Sequence, residues 1–138
     1  MSEETRRDDL GRKHQFHGVQ PVLPVGDVAA SAKYFCDVLG FELDFLEGDP
    51  PVHGRIKKGD GSWGQPVYIH LTQDAPDNVR PSGELRIYVG QDLDGLFDAY
   101  RGLGVSVVFA PVSQPWGLRE FAVHELNGHT LRFCAEIS

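Results

Sequence analysis

The chain says the same thing twice. An apolar strand-like run, Val19–Val25, leads into Asp27-Val28-Ala29-Ala30-Ser31 and a helical stretch ending in Leu39-Gly40-Phe41. Further on, Glu84–Val89 leads into Asp92-Leu93-Asp94-Gly95-Leu96 and a stretch ending in Leu103-Gly104-Val105. In both copies an Asp stands where a helix needs an N-cap acceptor, and a Gly stands where the chain leaves the helix left-handed. Val28, Ala32, Phe35 and Leu39 form one helical stripe, and Leu93, Leu96, Phe97, Tyr100 and Leu103 form the other. Strand-like runs follow each helix: Phe41–Phe45, Val52–Lys57 and Val67–Leu71, then Val105–Phe109, Glu120–Val123 and Thr130–Cys134. Gly59-Asp60-Gly61 and Asn127-Gly128 supply hairpin turns. Each half therefore reads β-α-β-β-β, a helix over one face of a small antiparallel sheet, which is an α+β architecture.

The Pro-, Asp- and Gly-rich segment Gln73–Gly83 separates the halves as a loop. Residues 1–15 are polar and aperiodic and read as a flexible tail. The rest, 16–138, reads as a single domain of two modules, at about 16–75 and about 83–137. A chain of 138 residues carries enough core to fold without disulfides. Four acids and four bases cancel in the tail, so the body holds the whole net charge of −7, which argues against nucleic-acid binding. No run approaches the roughly 18 apolar residues of a membrane helix, and the N-terminus lacks the apolar centre of a signal peptide. The two cysteines, Cys36 and Cys134, fit no zinc spacing; a reduced, cytoplasmic protein is expected.

Strand side chains alternate in direction. Leu23, Val25, Ile69, Leu71, Leu85, Ile87, Leu131 and Phe133 fall on one face, under the helices. Gln20, Tyr68, His70, Glu84, Arg86, Tyr88, Arg132 and Cys134 fall on the other. That second face either meets water, as one side of many antiparallel sheets does, or lines a cavity between two curved sheets. The internal repeat favours the cavity, because two like modules can pair their polar faces about a pseudo-twofold axis.

Gln20-Pro21-Val22-Leu23-Pro24-Val25-Gly26-Asp27-Val28-Ala29-Ala30-Ser31, with Tyr34-Phe35 and Leu39-Gly40-Phe41, resembles the opening of the vicinal oxygen chelate superfamily. That group spans glyoxalases, fosfomycin-resistance enzymes, extradiol dioxygenases and bleomycin-resistance proteins. Pro115-Trp116-Gly117-Leu118-Arg119-Glu120-Phe121-Ala122-Val123 and Asn127-Gly128-His129-Thr130-Leu131-Arg132-Phe133 resemble the close of its bleomycin-resistance branch. Glu125-Leu126 departs from the family's usual Asp-Pro and should affect the turn rather than the pocket. The resemblance implies paired modules, a homodimer, and ligand clefts where curved sheets face each other. It also implies that the four metal-ligand positions of metal-using relatives fall here on Gln20, His70, Glu84 and Arg132.

Gln20, His70 and Glu84 have suitable donor atoms, but a guanidinium has no lone pair and stays charged. A divalent ion about 5 Å from Arg132 would feel roughly 6 kcal/mol of repulsion at an effective dielectric near 20. Glu84 paired with Arg132 or Arg86, and no metal, is the expectation. A metal-dependent lyase, dioxygenase or thiol transferase using Gln20, His70 and Glu84 is the alternative. No nucleophile with an activating partner stands out: Cys36 reads as packing, and Cys134 as a thiol facing the cavity. His14, His17 and His53 read as surface residues, and His124 and His129 as structural or solvated.

The aromatic content favours a planar guest, an aromatic or antibiotic-like small molecule sequestered rather than transformed. The expected ligand-binding set is Trp63, Tyr68, His70, Glu84, Arg86, Tyr88, Trp116 and Arg132. Phe45 and Phe121 read as core. The local excess of arginine suits a neutral or anionic guest better than a cation.

Overall fold

The computed structural model describes residues 15–62, 64–81 and 83–137. The expected tail, save Gln15, and the expected ligand residue Trp63 lie outside the described residues. The first module runs β1 (Val22–Val25), α1 (Val28–Asp37), β2 (Glu42–Gly48), β3 (Pro51–Lys58) and β4 (Val67–Gln73). The second runs β5 (Glu84–Tyr88), α2 (Leu93–Gly102), β6 (Ser106–Ser113), β7 (Leu118–His124) and β8 (Thr130–Glu136). A short 3-10 turn, Pro76–Asn78, lies in the connecting loop. The two four-stranded sheets have the same order, β1-β4-β3-β2 and β5-β8-β7-β6.

Each sheet is mixed rather than antiparallel throughout. The helix carries the chain across the sheet, so β1 joins β4 parallel and β5 joins β8 parallel, while the other pairs are antiparallel. The repeat extends to defects: both outer strands break register at the same relative place, between Leu43 and Phe45 and between Val107 and Phe109. Such bulges bend a strand and increase its twist, which curves each sheet around its helix.

The helices start as their sequences dictate. Asp27 accepts a bond from the Ala30 amide at 2.9 Å, and Asp92 from the Gly95 amide at 3.2 Å. Asp92 is itself left-handed, with φ +67°. A Cβ on Gly95 would meet the Asp92 carboxylate, so any other residue there would make the capping side chain shift. The whole α1 stripe is buried, as are Leu93, Phe97 and Tyr100 of α2. Leu103 departs from the expected stripe: it is 60% exposed, because it falls at the C-cap where the helix has already turned away.

The apolar faces of both modules form one continuous core. The polar bonds between modules lie on this helix-bearing side. The Tyr100 hydroxyl donates to the Leu39 carbonyl at 2.7 Å. Asn127 accepts from the Gly26 amide at 3.1 Å and donates to Ser31 Oγ at 3.0 Å. His129 Nε2 donates to the Pro24 carbonyl at 2.8 Å, a structural role. Glu125 is buried in the β7–β8 turn and accepts from the Asn127 and His129 amides, so the departure from Asp-Pro is absorbed by the turn. Among the described residues no helix is long and apolar enough to cross a membrane.

Burial pushes the Tyr100 hydroxyl up to about 12, so it remains a donor at all ordinary pH. Tyr100→Phe should leave the Leu39 carbonyl without that partner and cost about 1–2 kcal/mol. A urea denaturation curve with a lower midpoint and an unchanged slope would record it. An unchanged midpoint would mean that the bond does not couple the modules.

Candidate functional site

The strand registers place equivalent positions of the two modules in equivalent neighbourhoods. His70 of β4 lies beside Val22 of β1, and Arg132 of β8 lies beside Arg86 of β5. His53 of β3 is opposite Thr72, as Glu120 of β7 is opposite Cys134. The trio Gln20–His70–His53 therefore corresponds to Glu84–Arg132–Glu120. In both, the side chain on the last strand is gripped from either side.

In the first module His70 Nε2 is 2.6 Å from Gln20 Oε1, and His70 Nδ1 is 2.9 Å from His53 Nε2. The two ring planes are within 7° of parallel. A nitrogen separation of 2.9 Å is shorter than the spacing of stacked rings, so the imidazoles meet edge to edge in a common plane. His53 Nδ1 reaches Glu47 at 3.3 Å, and Arg55 Nη1 donates to Gln20 Oε1 at 3.4 Å. The bond from Arg55, which can only donate, identifies that atom as the amide oxygen, which assigns a proton to His70 Nε2 and leaves Nδ1 to accept from His53. A further proton on His70 would set N–H against N–H. Burial first, then the charges of His53 and Arg55, hold the His70 pKa below its ordinary value. Arg55 is fixed by Asp44, with Nε donating at 2.7 Å, and its guanidinium lies over the Tyr68 ring at 4.2 Å.

In the second module Arg132 Nη1 donates to Glu120 Oε1 at 2.9 Å. Its Nε lies 3.0 Å from Glu84 Oε1 but off the line of its N–H, so this contact is ionic rather than a hydrogen bond. Arg86 stands 3.4 Å from both Glu84 and Glu120. Glu120 is completely buried and also accepts from Trp116 Nε1 and Cys134 Sγ, each at 3.4 Å. Burial alone would raise its pKa; the bonds from Arg132, Trp116 and Cys134 together outweigh that and hold it below the ordinary carboxylate range. Burial and Glu120 push the Cys134 thiol up to about 11. Cys134 is thus a sealed donor to Glu120, not the cavity-facing thiol expected from alternation.

A crevice of about 760 Å³ runs along the seam, with Gln20 and Tyr68 on one side and Glu84 and Arg86 on the other. Of the expected ligand residues, Tyr68, Glu84 and Arg86 line it. His70 and Arg132 stand one step behind, bonded to Gln20 and Glu84, while Tyr88 and Trp116 are 65% and 58% exposed. The four positions form two separate pairs, one per module, and Glu84 lies against both Arg132 and Arg86, the pairing expected of it. Among the described residues no hydrogen bond or ion pair joins the two clusters.

Sequence reading missed three participants. His53 is not a free surface residue but the second ring of the pair. Phe45 is not core: it is half-buried and lies edge-on to His53 at 5.3 Å. Glu120 drew no notice as a site residue, although alternation with the buried Phe121 and Val123 puts it on the polar face. Phe121 is core, as expected.

The donor set of a metal site does not fit this chain taken singly. The Gln20 oxygen is taken by His70, and the carboxylate of Glu84 faces two guanidiniums. Among the described residues no three His, Cys, Asp or Glu side chains are grouped so that they could hold a metal ion.

A family model described as the Glyoxalase/Bleomycin resistance protein/Dioxygenase superfamily matches residues 17–133. Among solved structures, the chain is similar to the bleomycin-binding protein of bleomycin-producing Streptomyces verticillus, complexed with copper(II)-bleomycin. The identity is 30% and the TM-score 0.67, covering 89% of this chain and 98% of that one. A bleomycin resistance determinant encoded on the transposon Tn5 shares the fold at 18% identity and TM-score 0.67, covering 89% and 100%. A glyoxalase-related enzyme from Clostridium phytofermentans does so at 21% identity and TM-score 0.72, covering 91% and 99%. Among curated proteins, none matches.

The lowered His70 pKa fixes a sign. The unfolded chain takes up a proton near pH 6.5 that the folded chain resists until lower pH. Stability contributed by the neutral ring is complete above 6.5 and is lost as pH falls below it. Thermal melts of His70→Gln should show a flatter pH dependence below 6.5 than the parent. Parallel curves would remove His70 from the pair described.

Proposed function

The chain belongs to the Glyoxalase/Bleomycin resistance protein/Dioxygenase superfamily, and we propose that it is a binding member, sequestering an aromatic or antibiotic-like small molecule without changing its bonds. The observation that carries this reading is the state of Glu84. The carboxylate that a metal-using relative would offer to an ion is held by Arg132 and flanked by Arg86, with the buried Glu120 behind them. Removing Glu84 from its arginines to serve a cation would leave two guanidiniums facing that cation. The site therefore works without metal.

What remains on the polar faces is suited to holding a ligand. Tyr68 and Tyr88 offer rings, Trp116 an exposed indole, Arg86 spare N–H donors, and His70 a neutral imidazole. Trp63 is included from the sequence reading. The two clusters are not bonded to each other within one chain, and Phe16 and Val19 of the N-terminal segment stand 94% and 93% exposed. Both facts support a homodimer in which the cleft is completed by a second copy. A role in antibiotic resistance follows if the guest is a toxic drug.

A thermal-shift panel of planar aromatic antibiotics, copper(II)-bleomycin included, tests the binder. A guest at 100 times its Kd should stabilise the fold by about 2.7 kcal/mol. Trp116→Ala should lose most of that shift, and mass spectrometry should recover the guest unaltered. No shift across the panel, or a chemically changed guest, would contradict the proposal.

A further inference from the structure

We propose that Glu120 is the positioning residue of the second polar face: its carboxylate aims the exposed Trp116 ring and keeps Arg86 and Arg132 in place, without meeting a ligand itself. The significance of that ring for a guest rests on the binding function proposed above. The bond that aims it does not.

Glu120 lies on β7, next to the strand that carries Arg132 and two strands from the one that carries Arg86, and is wholly shielded from solvent. A carboxylate there is tolerable only when every lone pair is engaged. Oε1 takes Arg132, while Oε2 takes Trp116, Arg86 and Cys134. Trp116 follows Pro115 and precedes Gly117, which is left-handed at φ +91°. The residue is 58% exposed, and its one side-chain hydrogen bond among the described residues runs to Glu120. An amphipathic ring anchored at its N–H and open on its faces has a defined orientation at little cost in freedom. The first module supports the assignment independently. Its equivalent position is His53, and His53 likewise holds the neighbouring His70 rather than facing the crevice. In both halves the middle strand supplies the group that fixes the last strand's side chain.

The test is nuclear magnetic resonance of the Trp116 indole N–H in a Trp63→Phe background, where it is the sole indole. In the parent its solvent exchange should be clearly slower than in the same protein unfolded in urea. Glu120→Gln should shift the resonance and speed its exchange while the protein still melts cooperatively. Should that variant unfold, Glu120→Gln with Arg86→Met removes one acid and one base together and preserves the charge balance. The proposal is overturned by parent exchange as fast as in urea, or by a folded variant whose indole resonance and exchange rate do not move. Neither outcome depends on which guest binds, so a failed antibiotic panel would leave this result standing.

Discussion

Arg86 and Arg132 are direct register partners on adjacent parallel strands. Two like charges roughly 5–6 Å apart repel by on the order of 3 kcal/mol at an effective dielectric near 20. The sheet could not carry them there without compensation. Glu120 supplies it from β7 on the same face and Glu84 from the start of β5, so two acids and two bases form one balanced network. Much else on this face follows from that balance. Glu84 is withdrawn from service as a metal ligand, Cys134 is locked as a protonated donor, and Trp116 is tethered by its N–H. Removing Arg132 would deprive the wholly buried Glu120 carboxylate of its shortest ion pair, which is far costlier than never having built the network.

The first module solves the same geometric problem with weaker charges. His70 and His53 stand where Arg132 and Glu120 stand in the second, and Gln20 where Glu84 does. A protonatable pair replaces a permanent one. The two faces thus differ in their response to pH: the arginine face is fixed across the physiological range, while the imidazole face resists acid and weakens when forced to accept it. The two modules share one backbone plan, including caps, left-handed glycines and bulges, and differ at the polar positions.

Much of the fold was legible because its signals are local. Asp27 and Asp92 cap, Gly40 and Gly104 turn left-handed, and the helical stripes need only residue spacing. The direction of β1 and β5 was not legible, since pairing between strands separated by two other strands is decided by the crossover and not by either sequence. The site was half legible. Alternation assigns His70, Glu84 and Arg132 to polar faces, but it cannot say which side chains reach one another. Glu84 meets Arg132 and Arg86 as its charge leads one to expect, but the residues that grip His70 and Arg132 from the other side lie one strand over. Those partners, His53 and Glu120, sit on middle strands whose residues reveal their importance only through cross-strand register. Glu120 in particular stands beside the apolar Phe121-Ala122-Val123, where a carboxylate has no local reason to be buried.

The most direct test of this account is the stoichiometry of metal binding, by equilibrium dialysis against nickel, zinc and iron(II) followed by elemental analysis. A face held by Arg86, Arg132 and Glu120 predicts no stoichiometric uptake by the parent protein. One tightly held ion per chain, lost on His70→Ala or Glu84→Ala, would contradict it and return the protein to the metal-dependent enzymes of its superfamily.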